Sequence, residues 1–388
     1  DEVKELLDEI AGLNDEAMVV FTGGEPLLRS DLEVLAHRAT NLGLMVVIGT
    51  NGTLLDKARV SRLMKAGVAG AGISLDSLDP DYHDKFRGMP GSWEKAMAGI
   101  DACRNAGLAF QIHFSVTDDN AHELEAMIAF ARSSGAAVFN LFFLVCTGRG
   151  EQLTDISRDT HDDVLARVTK AAHEEDGLIV RAKCAPHFKR LALEMDPSWP
   201  ITLAQGYEAG GCLAGTRYCR VTPEGEVTAC PYMEKSVGSV REQPLAQTWN
   251  DAPLFNSLRN PRLGGRCGVC EYRKICGGCR ARPAARSDDP MGEDFLCTYE
   301  PQDAAVIEPL FARDEGLIWT RAAEDRLKRV PSFLRRMVRG RVETYVSGLG
   351  RKTVTPDDLQ TLAKRRFGEA GPPKTMPGGP DAWGKPDV

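Results

Sequence analysis

The sequence predicts an α/β protein in which strand–helix units build a parallel sheet, followed by a cysteine-rich domain and a small all-α module. Apolar, β-rich runs alternate with helical patterns through residues 1–182. Eight of the eleven cysteines fall within 211–301, and basic helical patterns fill 317–368. Residues 183–210 are predicted to be a linker, and the proline- and glycine-rich residues 369–388 a disordered tail.

Six strand-like runs recur through the first half of the chain: Ala17–Phe21, Leu44–Ile48, Ala71–Leu75, Phe110–Phe114, Val138–Leu144 and Leu178–Val180. The helical patterns between them include Leu32–Ala39, Lys57–Lys65, Trp93–Asn105, Glu123–Ala131 and His161–His173. Strands that alternate with helices in this way form parallel sheets. Because such sheets bind ligands at the carboxyl ends of their strands, we expect the chemistry there.

Polar and glycine residues follow the first three strands. The run Gly23-Gly24-Glu25-Pro26 comes directly after the first strand, Asn51-Gly52 follows the second, and Ser74 lies within the third. Two glycines let a backbone approach a ligand closely, and Pro26 presets the backbone for a helix start. Asn51-Gly52 taken alone is more typical of an ordinary turn.

The Gly-Gly-Glu-Pro run after a strand resembles the S-adenosylmethionine-binding motif of radical SAM enzymes, whose catalytic domain is a partial (β/α)6 barrel. The resemblance implies that Gly23, Gly24, Glu25 and Pro26 receive the amino group of the bound methionine. It further implies that Ser74 lies near the ribose or carboxylate. The remaining predicted cofactor contacts are Asn51 after the second strand and, approaching the adenosine, Asn120 and Gly148.

Radical SAM enzymes also carry a Cys-x3-Cys-x2-Cys loop that holds a catalytic 4Fe–4S cluster, upstream of that motif. No cysteine precedes Cys103 in this sequence. We therefore expect the first βα unit and its cluster loop to belong to a longer, full-length protein, and catalysis to require it.

The cysteine-rich domain reads Cys212-x6-Cys219-x10-Cys230 and then Cys267-x2-Cys270-x5-Cys276-x2-Cys279-x17-Cys297. Thiolates are the preferred ligands of iron–sulfur clusters and of structural zinc, and eight suffice for two four-thiolate sites. Zinc is the alternative, but the short gap between Cys270 and Cys276 does not suit a zinc ribbon, which would also leave four cysteines unexplained.

This cysteine pattern resembles the SPASM extension of radical SAM enzymes. The resemblance implies two auxiliary 4Fe–4S clusters with interleaved ligands, and electron transfer as their role because both would be fully ligated. One set would be Cys212, Cys219, Cys230 and Cys279. The other would be Cys267, Cys270, Cys276 and Cys297.

The sequence motifs around the cysteines extend beyond the residues that cluster ligation requires, for example Gly211–Cys219 and Cys276–Arg282. It resembles the haem-pathway group of radical SAM proteins, which includes heme b synthase and its siroheme-derived and heme d1 relatives. This implies a tetrapyrrole substrate, with Arg280, Arg282 and Arg286 as candidates to pair with its propionates. A peptide substrate stays open, because peptide-maturing relatives share the cysteines.

Three cysteines lie outside the two sets. Cys103 and Cys146 are expected to be buried thiols. Cys184 follows a strand in Lys183-Cys184-Ala185-Pro186-His187, and we predict that it is a catalytic donor or a site ligand, with a capped loop as the alternative.

The C-terminal module is basic: between Arg321 and Arg366 it has 13 Lys/Arg and 5 Asp/Glu, a balance of 13 − 5 = +8. Pro331 should begin a helix that ends at Gly348, and Thr355 should cap the last one. The pattern resembles the small helical domain at the C-terminus of light-independent protochlorophyllide reductase subunits. Nucleic-acid binding by this basic module is the less favoured alternative, since the whole chain has a net charge of −7.

We therefore expect a cytoplasmic oxidoreductase that uses S-adenosylmethionine, with an electron donor such as ferredoxin or flavodoxin and no membrane partner. Metal-bound thiolates suit a reducing compartment better than a secreted disulfide scaffold does, and no apolar run approaches the length of a membrane span. A cluster protein that only carries electrons is the non-enzymatic alternative.

Overall fold

A six-stranded, all-parallel sheet forms the first half of the protein, with its strands in chain order. The computed structural model describes residues 2–14, 17–145, 147, 156–175, 177–197, 211–308, 317–330 and 332–367. Strands β1 to β6 are Met18–Phe21, Met45–Thr50, Val68–Ser74, Phe110–Val116, Val138–Phe143 and Ile179–Lys183. All six overlap the runs that the sequence predicts to be strands, and the predicted α/β class is confirmed.

Helices lie before the sheet and between its strands. Helices α1 to α8 are Glu2–Leu13, Leu32–Asn41, Lys57–Lys65, Pro80–Arg87, Ser92–Ala106, Leu124–Ser134, Arg158–Glu174 and His187–Met195. Side-chain oxygens cap several of them at the N-terminus: Asp56 accepts from the backbone N–H of Arg59, and Ser157 from that of Thr160. Helix α8 falls within the segment predicted to be a linker and packs into the main core through Phe188.

The two faces of the sheet differ in polarity. Along β4, Phe110, Ile112 and Phe114 are buried in the core beneath the helices, whereas Gln111 and His113 are half-buried. Because successive strand residues point to opposite faces, the second pair belongs to the face that the helices do not cover. We call this side of the sheet the open face.

Register aligns polar residues in one row across the open face. Ser74 of β3 pairs with His113 of β4, which pairs with Asn140 of β5, which pairs with Arg181 of β6. We call these four residues the polar row. Lys183 lies two residues beyond Arg181 on β6, and so points to the same side, closer to the carboxyl end.

The cysteine-rich domain is built from short elements around its own small core. Its antiparallel strands β7 to β9 are Arg220–Val221, Glu226–Thr228 and Gly238–Ser239. Its helices α9 to α12 are Leu245–Asp251, Pro253–Arg259, Gly265–Val269 and Ala281–Ser287. Phe255 and Val227 are fully buried in that core. Helix α1 joins this domain to the sheet, since the Glu9 carboxylate accepts a hydrogen bond from the backbone N–H of Ala246 at 2.8 Å.

The C-terminal module is helical, as predicted, with helices α13 to α15 at Arg321–Lys328, Ser332–Gly348 and Pro356–Phe367. Thr355 N donates to the Asp358 carboxylate at 2.8 Å, which supports the predicted start of α15. Two short strands, β10 and β11 (Ile318–Trp319 and Thr353–Val354), pair in parallel and were not indicated by the sequence. The predicted tail, from 369 on, lies outside the described residues. No helix in the described part of the chain is both long and apolar enough to cross a membrane.

Candidate functional site

The Glu25 carboxylate ties the turn after β1 to the end of β2. Its Oε1 accepts from Thr50 Oγ1 at 2.7 Å and from Leu27 N at 3.0 Å, and its Oε2 accepts from Asn51 N at 2.8 Å. A carboxylate can accept about four hydrogen bonds, so Oε2 retains capacity for one more donor. The side chain is half-buried, which leaves this oxygen accessible to a ligand at the carboxyl end of the sheet.

Glycine is required at the first position of this turn. Gly23 has φ +130°, a conformation that L side chains rarely adopt, and a Cβ placed there would meet no atom within 4 Å. Gly23 is exposed, so this space is open to solvent beside the turn. Asn51 contributes its backbone N–H to this carboxylate, while its Oδ1 accepts from Thr53 N at 2.9 Å, the bond of an ordinary turn.

Asn120 has a scaffolding role in the structure. Its Oδ1 accepts from Thr117 N at 2.7 Å, and its Nδ2 donates to the carbonyl oxygens of Asp76 and Ser115 at 2.9 and 3.0 Å. The side chain is completely buried. Its amide is therefore engaged in holding the loop after β4, and it has little capacity left for the predicted contact with adenosine. Gly148 lies outside the described residues, as does Cys146.

Four of the predicted cluster cysteines line one pocket: Cys267, Cys270, Cys276 and Cys297. Arg190 and Arg266 line the same pocket. Positive side chains beside a thiolate site favour a cluster of net negative charge. The structure thus brings together the set that the resemblance implies for one auxiliary cluster.

Arg280 supports this pocket from within the protein. Its guanidinium donates to the carbonyl oxygens of Pro290 and Gly292 at 3.1 and 2.8 Å, and lies 3.9 Å from Cys267 Sγ. The residue is 4% exposed. It is therefore a buried donor toward a cluster ligand, and the idea that it faces a substrate propionate is wrong.

Three cysteines of the other predicted set lie near one another and near Cys184. Burial, reinforced by the neighbouring Cys279, Cys230 and Cys212, raises the pKa of the Cys184 thiol. Burial raises the pKa of Cys219 to about 11, and the positive charge of Arg259 partly opposes this rise. All five cysteines belong to or pack against the same small core. Cys184 has φ +56°, so this thiol is held on strained backbone at the end of β6.

A close backbone contact joins the two predicted sets. A Cβ on Gly211, whose φ is +89°, would lie 1.9 Å from the carbonyl oxygen of Cys276. Only glycine permits this approach, which places Cys212 of one set immediately beside a ligand candidate of the other.

A buried charge network lies beside Cys279, in the set of Cys212, Cys219, Cys230 and Cys279. Arg282 and Asp294 are 1% and 0% exposed and form an ion pair at 3.0 Å. Asp294 Oδ2 also accepts from Cys279 N at 2.7 Å and lies 3.4 Å from His187 Nε2. Arg282 Nε and Nη2 are buried and have no hydrogen-bond partner among the described residues. Their neighbours include Cys279 and Cys184, and the sulfur atoms of a bound cluster would be suitable acceptors.

The Arg282–Asp294 pair also corrects an expectation about substrate recognition. Arg282 is engaged in the interior, so it does not present its charge to a propionate. Arg286 lies over the Phe295 ring at 4.8 Å.

Burial disfavours the thiolate form at most of these cysteines. It raises the pKa of Cys279 and Cys297 to about 11. It also raises the pKa of Cys212, Cys230 and Cys270. Metal binding to such a site must release protons, which couples cluster assembly to pH. Within the described ranges no three His, Cys, Asp or Glu side chains converge closely enough to hold a single metal ion.

Comparison with known proteins adds three family matches. Residues 1–131 match the radical SAM superfamily, residues 212–280 an iron-sulfur cluster-binding domain, and residues 319–362 the proto-chlorophyllide reductase 57 kD subunit. An AdoMet-dependent heme synthase of Methanosarcina barkeri is 39% identical over 307 residues, which span 78% of this chain and 87% of that relative. The chain belongs to the radical SAM superfamily.

Other radical SAM relatives cover the same length. A pre-heme d1 synthase of Dinoroseobacter shibae is 31% identical, over 80% of this chain and 82% of its own. A PqqA peptide cyclase of Granulibacter bethesdensis is 29% identical, over 80% and 81%. These matches confirm the predicted resemblance to radical SAM/SPASM proteins of the haem-pathway group.

The fold is shared with solved structures as well. Streptococcus suis SuiB bound to the precursor peptide SuiA superposes with a TM-score of 0.60, over 76% of this chain and 69% of SuiB, at 18% identity. Identity this low shows the fold alone.

Several residues at this radical SAM site were not singled out from the sequence. Asp294 and His187 lie far apart in the chain, and no local motif marks the contact between them. Arg181 and Lys183 follow the run Leu178–Val180 that the sequence predicts to be a strand, and neither was given a role. Their alternation with buried Val180 and Ala182 was the available signal, since it places both cations on the open face.

Proposed function

We propose that this protein is a radical SAM oxidoreductase that modifies a side chain of a tetrapyrrole, for example by decarboxylating a propionate of a haem precursor. The observation that carries this proposal is the 39% identity to an AdoMet-dependent heme synthase over most of both chains. The match of residues 319–362 to a proto-chlorophyllide reductase subunit also supports a tetrapyrrole setting.

Glu25 and the turn around it would bind the amino group of S-adenosylmethionine. The spare hydrogen-bonding capacity of Oε2 and the open space at Gly23 support this placement. Ser74, on the open face two strands away, would lie near the ribose or carboxylate. When bound with a reduced four-iron cluster, S-adenosylmethionine supplies a 5′-deoxyadenosyl radical that removes a hydrogen atom from the substrate. The cysteine loop for that cluster is one that this family places ahead of Gly23.

The eight cysteines of the SPASM domain would hold two auxiliary 4Fe–4S clusters in the sets predicted from the sequence. The common pocket of Cys267, Cys270, Cys276 and Cys297 supports one set. The unpaired N–H groups of Arg282 beside Cys279 support a negatively charged group at the other. A propionate that loses one hydrogen atom, carbon dioxide and one electron becomes a vinyl group, and these cysteine-held centres would take the electron.

Cys184 would be a site residue that contacts the reacting substrate as a hydrogen-bond donor through its thiol, since the conversion of a propionate to a vinyl group takes no hydrogen from the protein. It follows the last residue of β6, at the carboxyl end of the sheet, and its neighbours include three cluster cysteines. A ferredoxin or flavodoxin would supply the reducing electron.

The test uses the full-length protein, purified without oxygen, reduced, and incubated with S-adenosylmethionine and either iron-coproporphyrin III or didecarboxysiroheme. We expect 5′-deoxyadenosine together with a porphyrin that has lost carbon dioxide and two hydrogen atoms per converted propionate, measured by mass spectrometry. Reactions without S-adenosylmethionine are the control. An unchanged mass with both tetrapyrroles would refute this substrate class.

Peptide modification is the second candidate, favoured by the 29% identity to a PqqA peptide cyclase. It would be supported by 5′-deoxyadenosine formation that depends on a precursor peptide and is unaffected by tetrapyrroles. A protein that only carries electrons would form no 5′-deoxyadenosine with any substrate.

A further inference from the structure

Two cations lie on the open face of the sheet at the carboxyl end of β6. Arg181 belongs to the polar row, and Lys183 is the next residue on the same side. Both side chains are half-buried. Within the part of the chain that the structure describes, neither forms an ion pair with Asp or Glu. Two partly desolvated cations close together repel each other, so an anionic ligand between them would be stabilising.

The surroundings of these cations suit a flat apolar molecule. Phe142 pairs in register with Lys183, and its ring packs against that of His113 with centroids 5.1 Å apart. His113 is neutral near pH 7, since burial and the nearby Lys183 lower its pKa to about 4. The open face therefore combines aromatic rings with fixed positive charge at one edge.

A second feature of this face is a pair of glycines farther along the sheet. Gly49 pairs with Gly72 across β2 and β3, on the side of the sheet that carries the polar row. A Cβ at Gly72 would lie 2.3 Å from the His113 ring, so this glycine lets the imidazole lie flat against the sheet. The result is a surface of backbone and rings that extends along the sheet from β2 toward the cations on β6.

We infer that Arg181 and Lys183 form a subsite for carboxylate groups of the substrate, on the open face beside Phe142 and His113. This inference rests on the proposed tetrapyrrole substrate and adds where its acidic side chains bind. A propionate held here would be oriented by bidentate hydrogen bonds from the guanidinium and a point charge from the ammonium.

The carboxylate of S-adenosylmethionine is the other possible occupant, and the strand order argues against it. Glu25 follows β1, whereas Arg181 and Lys183 are on β6, five strand spacings away. At about 4.8 Å per spacing the path along the sheet is about 24 Å, and the straight-line separation is shorter because a twisted parallel sheet curves. The amino and carboxylate groups of a methionine share one carbon atom, so they cannot occupy both ends.

The test compares iron-coproporphyrin III with its tetramethyl ester, which has the same ring but no carboxylates. Each is titrated against full-length protein by its Soret band, without reductant, so binding is read apart from chemistry. The variants are Arg181→Met, Lys183→Met and the double variant, because methionine keeps most of the apolar stem. Lys170→Met, which removes an exposed cation on α7, is the matched control.

We expect each single variant to lose at least tenfold in affinity for the acid, about 1.4 kcal/mol, and the double variant to bind acid and ester alike. Ester binding and the control should not change. If the variants bind the acid as tightly as the unaltered protein does, this inference is overturned but the proposed function is not. The same holds if the variants lose equal affinity for acid and ester, or lose affinity only for S-adenosylmethionine. Failure of the unmodified protein to bind either porphyrin would refute the proposed substrate and this subsite with it.

Discussion

Replacing Glu25 with glutamine separates the two functions that the structure gives this carboxylate. The variant keeps an amide oxygen for the bonds from Thr50 Oγ1 and Leu27 N, but it places an NH2 group where Oε2 accepts from Asn51 N. One hydrogen bond is lost in a half-buried turn, which should cost about 1 kcal/mol of stability. The contact with a cationic amino group should also weaken, by about 1.5–3 kcal/mol, or about 10- to 150-fold in Kd.

Thr50→Val is the matched control for this experiment. Thr50 is 4% exposed and donates to Oε1, so its loss destabilises the same turn without changing the charge of Glu25. Thermal unfolding and equilibrium binding of S-adenosylmethionine should be measured on both variants of the full-length protein. We expect both to lower the melting temperature and only Glu25→Gln to weaken binding. If the Glu25→Gln protein binds S-adenosylmethionine as tightly as the unaltered protein does, the carboxylate only stabilises the turn.

Two further predictions concern the clusters. Gly211→Ala should lower the iron of the two auxiliary clusters well below about eight per chain, because the new Cβ would lie 1.9 Å from the Cys276 carbonyl oxygen, whereas Gly264→Ala, with its nearest atom at 3.6 Å, should retain it; equal iron in both would refute the close-approach argument. Cys219→Ser should lose about half of this auxiliary iron and Cys184→Ser none, since the predicted sets are complete without Cys184; the reverse result would transfer ligation to Cys184.

The six strands could be predicted because each corresponds to a local sequence pattern. Runs such as Phe110–Phe114 alternate apolar residues with polar ones, and the sheet keeps that alternation as two faces. The grouping of Cys267, Cys270, Cys276 and Cys297 was implied by the family resemblance, and the structure places all four in one pocket.

Register and tertiary pairing could not be predicted from local patterns. The polar row exists only because Ser74, His113, Asn140 and Arg181 pair across four strands, and the sequence gives no measure of how those strands slide past one another. The arrangement of Asp294 against His187 and Cys279 likewise depends on packing between segments about 100 and 15 residues apart in sequence.

These long-range contacts change which arginines are available to a substrate. From the sequence, Arg280 and Arg282 looked suitable for propionates because they follow the cysteines of a haem-group motif. In the structure Arg282 neutralises the buried Asp294, and Arg280 donates to backbone carbonyls beside Cys267. Turning either outward would leave a buried carboxylate or several carbonyls unpaired, at a cost of several kcal/mol. The positive charge for an acidic substrate therefore cannot come from Arg280 or Arg282, and Arg181 and Lys183 on the open face are placed to supply it.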